Sequence, residues 1–174
     1  MQDFVHLHVH TQYSLLDGQA SVARLVDKAM KNGMKGIAVT DHGNMFGIKE
    51  FTNYVNKKNS GPKGEVKDLK KRIAGIEAGT IECADKEAEI AACKAKIVEA
   101  ENKLFKPVIG CEMYVAHRNM DLKEGKPDQS GYHLIVLAKN EKGYHNLIKL
   151  VSHAWTRGYY MRPRTDRSEL EKYH

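Results

Sequence analysis

The chain has 174 residues, which is long enough for one domain with a single hydrophobic core. Hydrophobic residues make up 41% and charged residues 29% of the sequence, as in globular proteins, and no apolar run approaches the roughly 20 residues of a membrane helix. The first residues carry no secretory signal, so the sequence predicts a cytoplasmic protein with no membrane partner. The formal net charge of +6 is compatible with a polyanionic partner, and the three cysteines, Cys83, Cys93 and Cys111, are predicted to be free thiols.

Predicted strands and helices alternate along the chain. An alternation of polar and apolar residues predicts a first strand over residues 4–10, and Ser21 is predicted to cap a helix that ends at Asn32. The remaining predicted elements are, in chain order, a buried strand over 36–40, a helix over 48–58, strands over 107–115 and 133–138, and a helix over 141–157. This order predicts parallel βαβ units and an α/β fold.

Residues 60–103 interrupt the alternation. Residues 60–64 have the composition of a loop, and the apolar residues that follow keep the spacing of a narrow helical seam, with Leu69, Ile73, Ile90 and Ile97 among them. This pattern predicts a protruding antiparallel helical hairpin inserted into the domain. Two interpretations stay open for it: a solvated insertion without a catalytic role, or an arm that docks a partner.

Two histidines, His8 and His10, stand two residues apart in the first predicted strand. Residues i and i+2 of a strand project from the same face, so both imidazoles can reach one point in space. His6 shares this phase but lies one pleat deeper. Two imidazoles on a rigid backbone supply half of a typical transition-metal site. Alternate histidines can also line a polar interior without binding an ion. The HxH pattern alone does not distinguish this interpretation from a metal site.

Other potential ligands fall near the ends of predicted strands. His42 follows the buried strand 36–40, Glu112 lies late in the next strand, His133 begins the strand after it, and Asp17 lies in the loop after the first strand. Loops at the carboxyl ends of parallel strands are where α/β folds place their sites. A mixed set of histidines and carboxylates suits Zn, Mn or Fe, and closely spaced ions favour phosphoester hydrolysis.

These residues resemble the successive motifs of the PHP (polymerase and histidinol phosphatase) superfamily. The matching strings are His8-Val9-His10, Thr40-Asp41-His42-Gly43, Gly110-Cys111-Glu112 and His133. The wider strings FVHLHVHTQYSLLDG, TDHGNMFG, PVIGCEMYV and GYHNLIKLVSHAWTRGYY are similar to the opening of bacterial DNA polymerase III alpha subunits. The resemblance implies an α/β fold, a distorted (β/α)7 PHP barrel, with residues 1–174 forming its N-terminal part and 60–103 the inserted hairpin.

The resemblance also implies a metal site. The implied ligands are His8, His10, Asp17, His42, Glu112 and His133, which in an intact domain hold up to three divalent ions. Asp17 departs from relatives that carry a histidine in that loop. The family pattern continues with a cysteine or histidine and an Asp-x-His pair beyond His174, and the helical His145 and His153 do not replace them. We therefore expect a truncated barrel that holds fewer metals or partial occupancy and self-associates.

Basic and aromatic residues mix in the segment 157–164. Arg157, Tyr159, Tyr160, Arg162 and Arg164 could contact phosphates and stack on bases. The alternative is that the segment packs internally and leaves its arginines solvated. Both interpretations stay open at this point.

The resemblance implies part of a DNA-directed DNA polymerase, a nucleotidyltransferase whose Mg-dependent polymerase domains lie outside this chain. For the domain itself it implies metal-dependent phosphoester hydrolysis, either as a 3′–5′ exonuclease or on pyrophosphate. An alternative is a non-catalytic scaffold that docks a proofreading exonuclease, and a third is a stand-alone PHP phosphatase. The implied partners are DNA and other replicase subunits.

Overall fold

The computed structural model describes residues 4–173. These residues divide into two compact units: the first contains residues 4–52 and 107–173, and the second contains residues 53–106. Among the described residues, no helix is both long and apolar enough to cross a membrane. The first unit contains every predicted metal ligand and is described first.

Helix α1 (Val22–Lys31) begins and ends where the sequence predicts. The Ser21 hydroxyl accepts a hydrogen bond from Arg24 N at 3.4 Å, which caps one of the first free N–H groups. Gly33 takes a positive φ of 77°, the left-handed conformation that commonly follows a helix. Val22, Val26 and Ala29 on its apolar face are buried, and Leu25 is partly buried.

A four-stranded sheet forms the centre of the first unit. Its strands are β1 (Gly36–Val39), β2 (Lys106–Ala116), β3 (Gly131–Leu137) and β4 (Arg164–Thr165). β2 is central: β3 pairs with one of its edges from Gly110 to Ala116, while β1 and β4 both pair with it as well. Since β3 already occupies one edge along that length, β1 and β4 follow each other along the other edge.

The orientation of β3 corrects the expectation of parallel strands throughout. β4 is parallel to β2, and so is the bridge from His42 to Glu112, but β3 runs antiparallel, with Tyr114 opposite His133. The connection between β2 and β3 contains only a three-residue 3₁₀ helix (Lys126–Asp128). A parallel connection would need a helical crossover, and the sequence supplies none here.

The first predicted strand is also a correction, because residues 4–10 form no assigned strand. The segment lies beside β1, where His6 O accepts from Ala38 N and Val9 O from Thr40 N, each at 2.9 Å, and it bends at Leu7 and His8. The ladder is broken because Val9 N donates to the Thr40 hydroxyl instead of to a backbone carbonyl. A side chain thus replaces one main-chain partner while the segment stays beside the sheet.

The first unit also contains the beginning of α2 (Ile48–Lys58) and the helices α5 (Glu141–Thr156) and α6 (Arg167–Lys172). The Asn140 side chain caps α5 by accepting from Gly143 N at 2.9 Å. The apolar face of α5 packs on β2. The buried residues of that core are Cys111, Met113, Leu147, Leu150 and Ala154.

The second unit is built from two long helices, α3 (Ser60–Glu77) and α4 (Lys86–Asn102), which pack against each other. A connection of a few residues makes them antiparallel. Ile76 and Cys93 are buried between them, whereas the predicted seam residues are half-buried, so the seam is thin. Asn59 and Phe105 close the hairpin at its base, with Asn59 Nδ2 donating to Phe105 O at 2.8 Å and Phe105 N to Asn59 Oδ1 at 2.9 Å.

The prediction of a loop over residues 60–64 is wrong, since α3 already begins at Ser60. Pro62 lies in the first turn of the helix. Proline is tolerated there because the first N–H groups of a helix have no intrahelical acceptor. Gly61 and Gly64 also lie in open space, so the composition that resembles a loop is accommodated in an exposed first turn.

Candidate metal centre

Glu112 lies at the centre of a cluster of titratable side chains. It is buried in the middle of β2, with only 2% of its side chain exposed. On one edge of β2, Glu112 N donates to Asp41 O at 3.1 Å and Gly43 N donates to Glu112 O at 2.8 Å. These bonds fix the turn that carries His42 directly beside the carboxylate.

His8 and His10 contact one oxygen of this carboxylate. Their Nε2 atoms lie 2.7 and 3.1 Å from Glu112 Oε2 and 3.0 Å from each other. The three residues each offer one ligand atom, and these atoms all lie within 4.8 Å of one another. The i, i+2 spacing therefore brings both rings to one point although the segment is not an assigned strand.

His42 and His133 contact the other oxygen. Their Nδ1 atoms lie 3.1 and 2.6 Å from Glu112 Oε1. Asp17 joins from the loop before α1, since its Oδ2 lies 2.6 Å from His42 Nε2. Each of the six predicted ligands thus contacts another member of the cluster, and the two oxygens of Glu112 divide the four histidines into two pairs.

The antiparallel pairing of β3 explains the position of His133. In a parallel sheet, the first residues of one strand lie at the opposite end from the last residues of its neighbour. Because β3 is antiparallel, His133 instead pairs with Tyr114, two residues beyond Glu112. Residues i and i+2 share a face of the sheet and so do directly paired residues, which places His133 on the same face as Glu112.

Asp41 stabilises the cluster through hydrogen bonds to the loop that follows His10. The sequence motifs alone do not predict this role. The buried carboxylate accepts hydrogen bonds from Thr11 N at 2.7 Å, the Thr11 hydroxyl at 2.8 Å and the Ser14 hydroxyl at 2.6 Å. Ser14 Oγ lies 2.9 Å from His10 Nδ1 and accepts from His42 N at 3.2 Å. The acidic residue after a buried strand, with Thr and Ser in the facing loop, was the available signal.

Tyr114 is a second contact that the sequence analysis missed. Its hydroxyl lies 3.0 Å from His42 Nδ1, and the guanidinium of Arg162 lies over its ring, 4.8 Å from the centroid. Burial raises the pKa of Tyr114, against the charge of Arg162, which lowers it. The protonated phenol is therefore available as a donor to the imidazole of His42.

The sequence matches a known family along almost its whole length. A family model described as the PHP domain matches residues 6–103 and 88–174. The chain belongs to the PHP domain family. The resemblance drawn from the motifs is therefore confirmed, and the described strands and helices agree with a partial α/β PHP barrel whose sheet is not closed.

Curated relatives of this PHP domain are DNA polymerase III alpha subunits. The chain is 41% identical to the protein from Borreliella burgdorferi over 98% of the chain and 11% of that protein. It is 39% identical to that of Treponema pallidum over 94% of the chain, and 33% identical to that of Aquifex aeolicus over 99%, with 10% and 12% of those proteins covered. The chain thus spans about a tenth of the length of these relatives.

The pKa shifts of Glu112 and His10 favour the protonation states in which these side chains bind metal. Burial acts to raise the pKa of Glu112, but the hydrogen bond from His8 and the charges of the neighbouring histidines outweigh it and leave this pKa below its ordinary value. Burial and the charge of His42 lower the pKa of His10. An ionised carboxylate and a neutral imidazole are the forms that bind metal.

The spacing of these atoms also fits a cation. Tetrahedral ligand atoms at about 2.0–2.2 Å from Zn are roughly 3.3–3.6 Å apart, slightly wider than the triangle of His8, His10 and Glu112. Within residues 4–173, the buried Glu112 Oε1 has no hydrogen-bond partner, although His42 and His133 lie close to it. A buried carboxylate oxygen that lacks a hydrogen bond and lies close to two imidazoles is suited to contact a positive ion.

Within residues 4–173, four further histidines lie outside the cluster, and one of them, His117, packs edge-on against Tyr132. His6 packs edge-on against Phe4, with ring centroids 4.7 Å apart. His145 is exposed on α5, and His153 Nδ1 lies 2.7 Å from Glu169 Oε2.

Two of the arginines predicted to contact nucleic acid are engaged inside the fold. Arg164 is fully buried, and its guanidinium donates to the carbonyls of Gly158, Met120 and Leu122 at 2.9–3.1 Å. The nucleic-acid contact predicted for Arg164 is therefore wrong, because the side chain cannot reach a ligand outside. Arg157 is half exposed and pairs with Asp121 and Glu169.

The other three residues of that prediction differ in exposure. Tyr160 is partly buried and its hydroxyl accepts from Gly125 N at 3.3 Å. Tyr159 is 47% exposed and stacks on Trp155, with ring centroids 5.5 Å apart. Arg162 is exposed apart from its contact with Tyr114.

Proposed function

We propose that this chain is the metal-binding PHP domain of a bacterial DNA polymerase III alpha subunit. The proposal assigns the ions to His8, His10, Asp17, His42, Glu112 and His133. It is supported by the cluster geometry and by the similarity to alpha subunits over nearly the whole chain. DNA and other replicase subunits, including a proofreading exonuclease, are the partners that this assignment brings with it.

The observation that carries the proposal is the division of histidines between the two oxygens of one buried carboxylate. Glu112 Oε2 contacts His8 and His10, and Oε1 contacts His42 and His133. Glu112 and the histidines on its two oxygens would together hold the divalent ions. In the part of the chain that the structure describes, the charged partners of this carboxylate are histidines, and imidazole is a ligand that suits Zn, Mn or Fe.

The proposed reaction is hydrolysis of a phosphoester, on a 3′ DNA end or on pyrophosphate. Bound ions would polarise the phosphate and supply a hydroxide near neutral pH. The protein's own residues orient the ligands: Ser14, held by Asp41, contacts the distal nitrogen of His10, and Tyr114 contacts His42. Such outer contacts fix the ring orientation and the tautomer of a ligating histidine.

A non-catalytic scaffold is a second candidate with an observation of its own. The cluster joins the 4–10 segment, the turn after β1, β2 and β3 through contacts of 2.6–3.1 Å. Ions bound there would stiffen the same junction without turning over a substrate. A stand-alone PHP phosphatase is less well supported, because the relatives named above are polymerase subunits.

Metal analysis and activity together separate these candidates. We expect the purified chain to contain Zn, Mn or Fe by mass spectrometry, and Glu112→Gln to lose most of it while His145→Gln, an exposed control on α5, keeps it. Release of nucleotide from a 3′-labelled single strand, or of phosphate from pyrophosphate, would favour catalysis. Metal without either activity would favour the scaffold, and equal metal in the Glu112→Gln variant would refute both.

The hairpin of α3 and α4 is proposed to be an insertion that the metal site does not need. Asn59 and Phe105 at its base are hydrogen-bonded to each other, so a short linker can join the chain there. Deleting residues 60–103 in this way should leave the metal content unchanged. A deletion variant that folds, by circular dichroism, but has lost its metal would show that the hairpin belongs to the site.

A further inference from the structure

Two exposed aromatic rings stack on each other beside the metal centre. The rings of Trp155 and Tyr159 have centroids 5.5 Å apart and an interplanar angle of 19°. Trp155 is 44% and Tyr159 47% exposed, so the stacked pair buries only part of either ring. Large aromatic rings that remain half exposed commonly mark a binding surface. We call this pair the aromatic ledge.

The ledge is fixed to the turn that carries His42. Trp155 Nε1 donates a hydrogen bond of 2.7 Å to the carbonyl oxygen of Gly43, the residue after His42. Pro163 packs on the same glycine so closely that a Cβ added to Gly43 would lie 2.6 Å from Pro163 Cγ. Trp155, His42 and the segment that contains Arg162 therefore meet at a single residue.

Arg162 supplies a positive charge at this place. In contrast to Arg157, which is paired with Asp121 and Glu169, the exposed Arg162 lies over the ring of Tyr114. Tyr114 in turn contacts His42. Arg162 is thus linked to the metal centre through Tyr114 and His42, and its neighbour Pro163 packs on Gly43, which accepts the hydrogen bond from Trp155 of the ledge.

The backbone before Arg162 is held in a strained conformation. Met161 has a φ of 63° although it is not a glycine, a conformation that costs about 1–2 kcal/mol. The strain accompanies a tight reversal in which Tyr160 N donates to Arg162 O at 3.1 Å. Met161 stays 66% exposed, so the reversal does not serve to bury its side chain. The next residue, Arg162, lies over Tyr114.

We propose that Trp155, Tyr159 and Arg162 form a binding site for single-stranded DNA. A nucleobase stacks on the aromatic ledge, and Arg162 contacts the phosphate on the side of the metal centre. The site is specific for single-stranded DNA, because the bases of a duplex stack on each other and do not expose their ring faces to the protein. Aromatic stacking with a neighbouring cation is how proteins bind single strands without sequence preference.

The site has a function of its own within the proposed activity. Trp155 and His42 are connected through one residue, so a base on the ledge would place its own phosphodiester, or the next one, near the histidines. The placement of a phosphodiester near the histidines rests on the proposed metal centre. The stacking of a base on the aromatic ledge does not depend on that centre. Binding can therefore be measured without metal, which separates a failure of the ledge from a failure of the metal site.

Trp155 is the only tryptophan in the chain, so its fluorescence reports directly on the ledge. The experiment titrates the full chain with (dT)8 in EDTA and compares an abasic strand of the same length and charge. We expect saturable quenching by (dT)8 and at least tenfold weaker binding of the abasic strand, because stacking dominates. Duplex DNA should bind no better than the abasic strand.

Variants locate the contact. Tyr159→Ala should weaken (dT)8 about tenfold, Tyr159→Phe should restore it, and Tyr132→Ala, an exposed aromatic on the face of β3 opposite to His133, should have no effect. Arg162→Gln should lower the slope of log affinity against log salt by about 0.7, the value for one phosphate on a single strand. Urea midpoints verify that each variant is folded.

The proposal is overturned by any of three results. One is binding of the abasic strand as tight as that of (dT)8, which would reduce the interaction to charge. Another is an unchanged affinity of folded Tyr159→Ala. The third combines three observations: Trp155 fluorescence changes when the protein alone is concentrated, light scattering shows dimers, and DNA causes no response. That result would mean that the aromatic ledge binds a second copy of the chain and not DNA.

Discussion

Replacing Asp41 by asparagine tests whether the candidate metal centre depends on its buried support. The carboxylate accepts three hydrogen bonds, two at Oδ1 and one at Oδ2, from Thr11 and Ser14. Hydrogen bonds to a charged group contribute about 1.5–3 kcal/mol, against about 0.5–1.5 for neutral partners. Replacing three hydrogen bonds to a charged group by neutral ones costs about 3 kcal/mol. Asparagine also removes the cost of burying a charge, which offsets part of this loss.

We therefore expect Asp41→Asn to lower the free energy of unfolding by about 2 kcal/mol. With an m-value of about 2 kcal/mol/M, the urea midpoint would fall by roughly 1 M. Unfolding is followed by the fluorescence of Trp155, which lies in the same unit as Asp41. EDTA in all samples removes the contribution that a bound metal makes to stability.

The matched control for this experiment is Asp17→Asn. Asp17 belongs to the same cluster, but its side chain is 65% exposed and its contact is with His42 alone in the described structure. Its loss should change the stability by less than about 0.5 kcal/mol, as for surface substitutions. An Asp41→Asn variant as stable as the wild type, or an equal loss in Asp17→Asn, would refute the role assigned to Asp41.

Three further predictions concern single residues. Gly43→Ala should destabilise the protein by at least 1–2 kcal/mol in urea unfolding, because Gly43 has a φ of 59° and no room for a Cβ. Iodoacetamide should modify Cys83 first in mass-spectrometric mapping, because burial raises the pKa of Cys111 to about 12. The hydrogen bond from Arg118 lowers the pKa of Asp128, so its stabilising effect is present above the unfolded pKa of about 3.9 and is lost as the pH falls through the folded value. Unfolding curves from pH 6 to pH 2 should therefore show a fall in stability that is smaller in Asp128→Asn.

Local signals in the sequence predicted most helices and strands of the first unit. α2 has its predicted bounds, and α1 and α5 begin after the side chains Ser21 and Asn140 that cap them. Caps and apolar periodicity act within one or two turns, so they can be read from neighbouring residues. The orientation of β3 could not be read in this way, because strand pairing depends on residues far apart in the chain.

The site residues also divide into those that have a local signal in the sequence and those whose contacts depend on distant parts of the chain. His8 and His10 could be selected because metal ligands are few in kind and the two histidines are two residues apart, and Glu112 because it lies late in a predicted strand. The hydrogen bonds of Asp41 with Thr11 and Ser14 span about thirty residues, so the residue types are visible in the sequence but their pairing is not. Arg164 shows the reverse error: a basic residue suggests an exposed contact, but this guanidinium donates inside the fold to the carbonyl of Gly158 and to those of Met120 and Leu122, more than forty residues away.

The turn at His42 and Gly43 joins the two sites proposed here. The side chain of His42 faces Glu112, while the carbonyl of Gly43 accepts the hydrogen bond from Trp155. The left-handed conformation of Gly43 permits this division, because it reverses the chain immediately after the proposed ligand. A displacement of the turn would disturb metal and base contacts together, whereas changes at Glu112 or Tyr159 reach only one of them. Substitutions at those two positions therefore measure the sites separately, and a substitution at Gly43 measures the coupling between them.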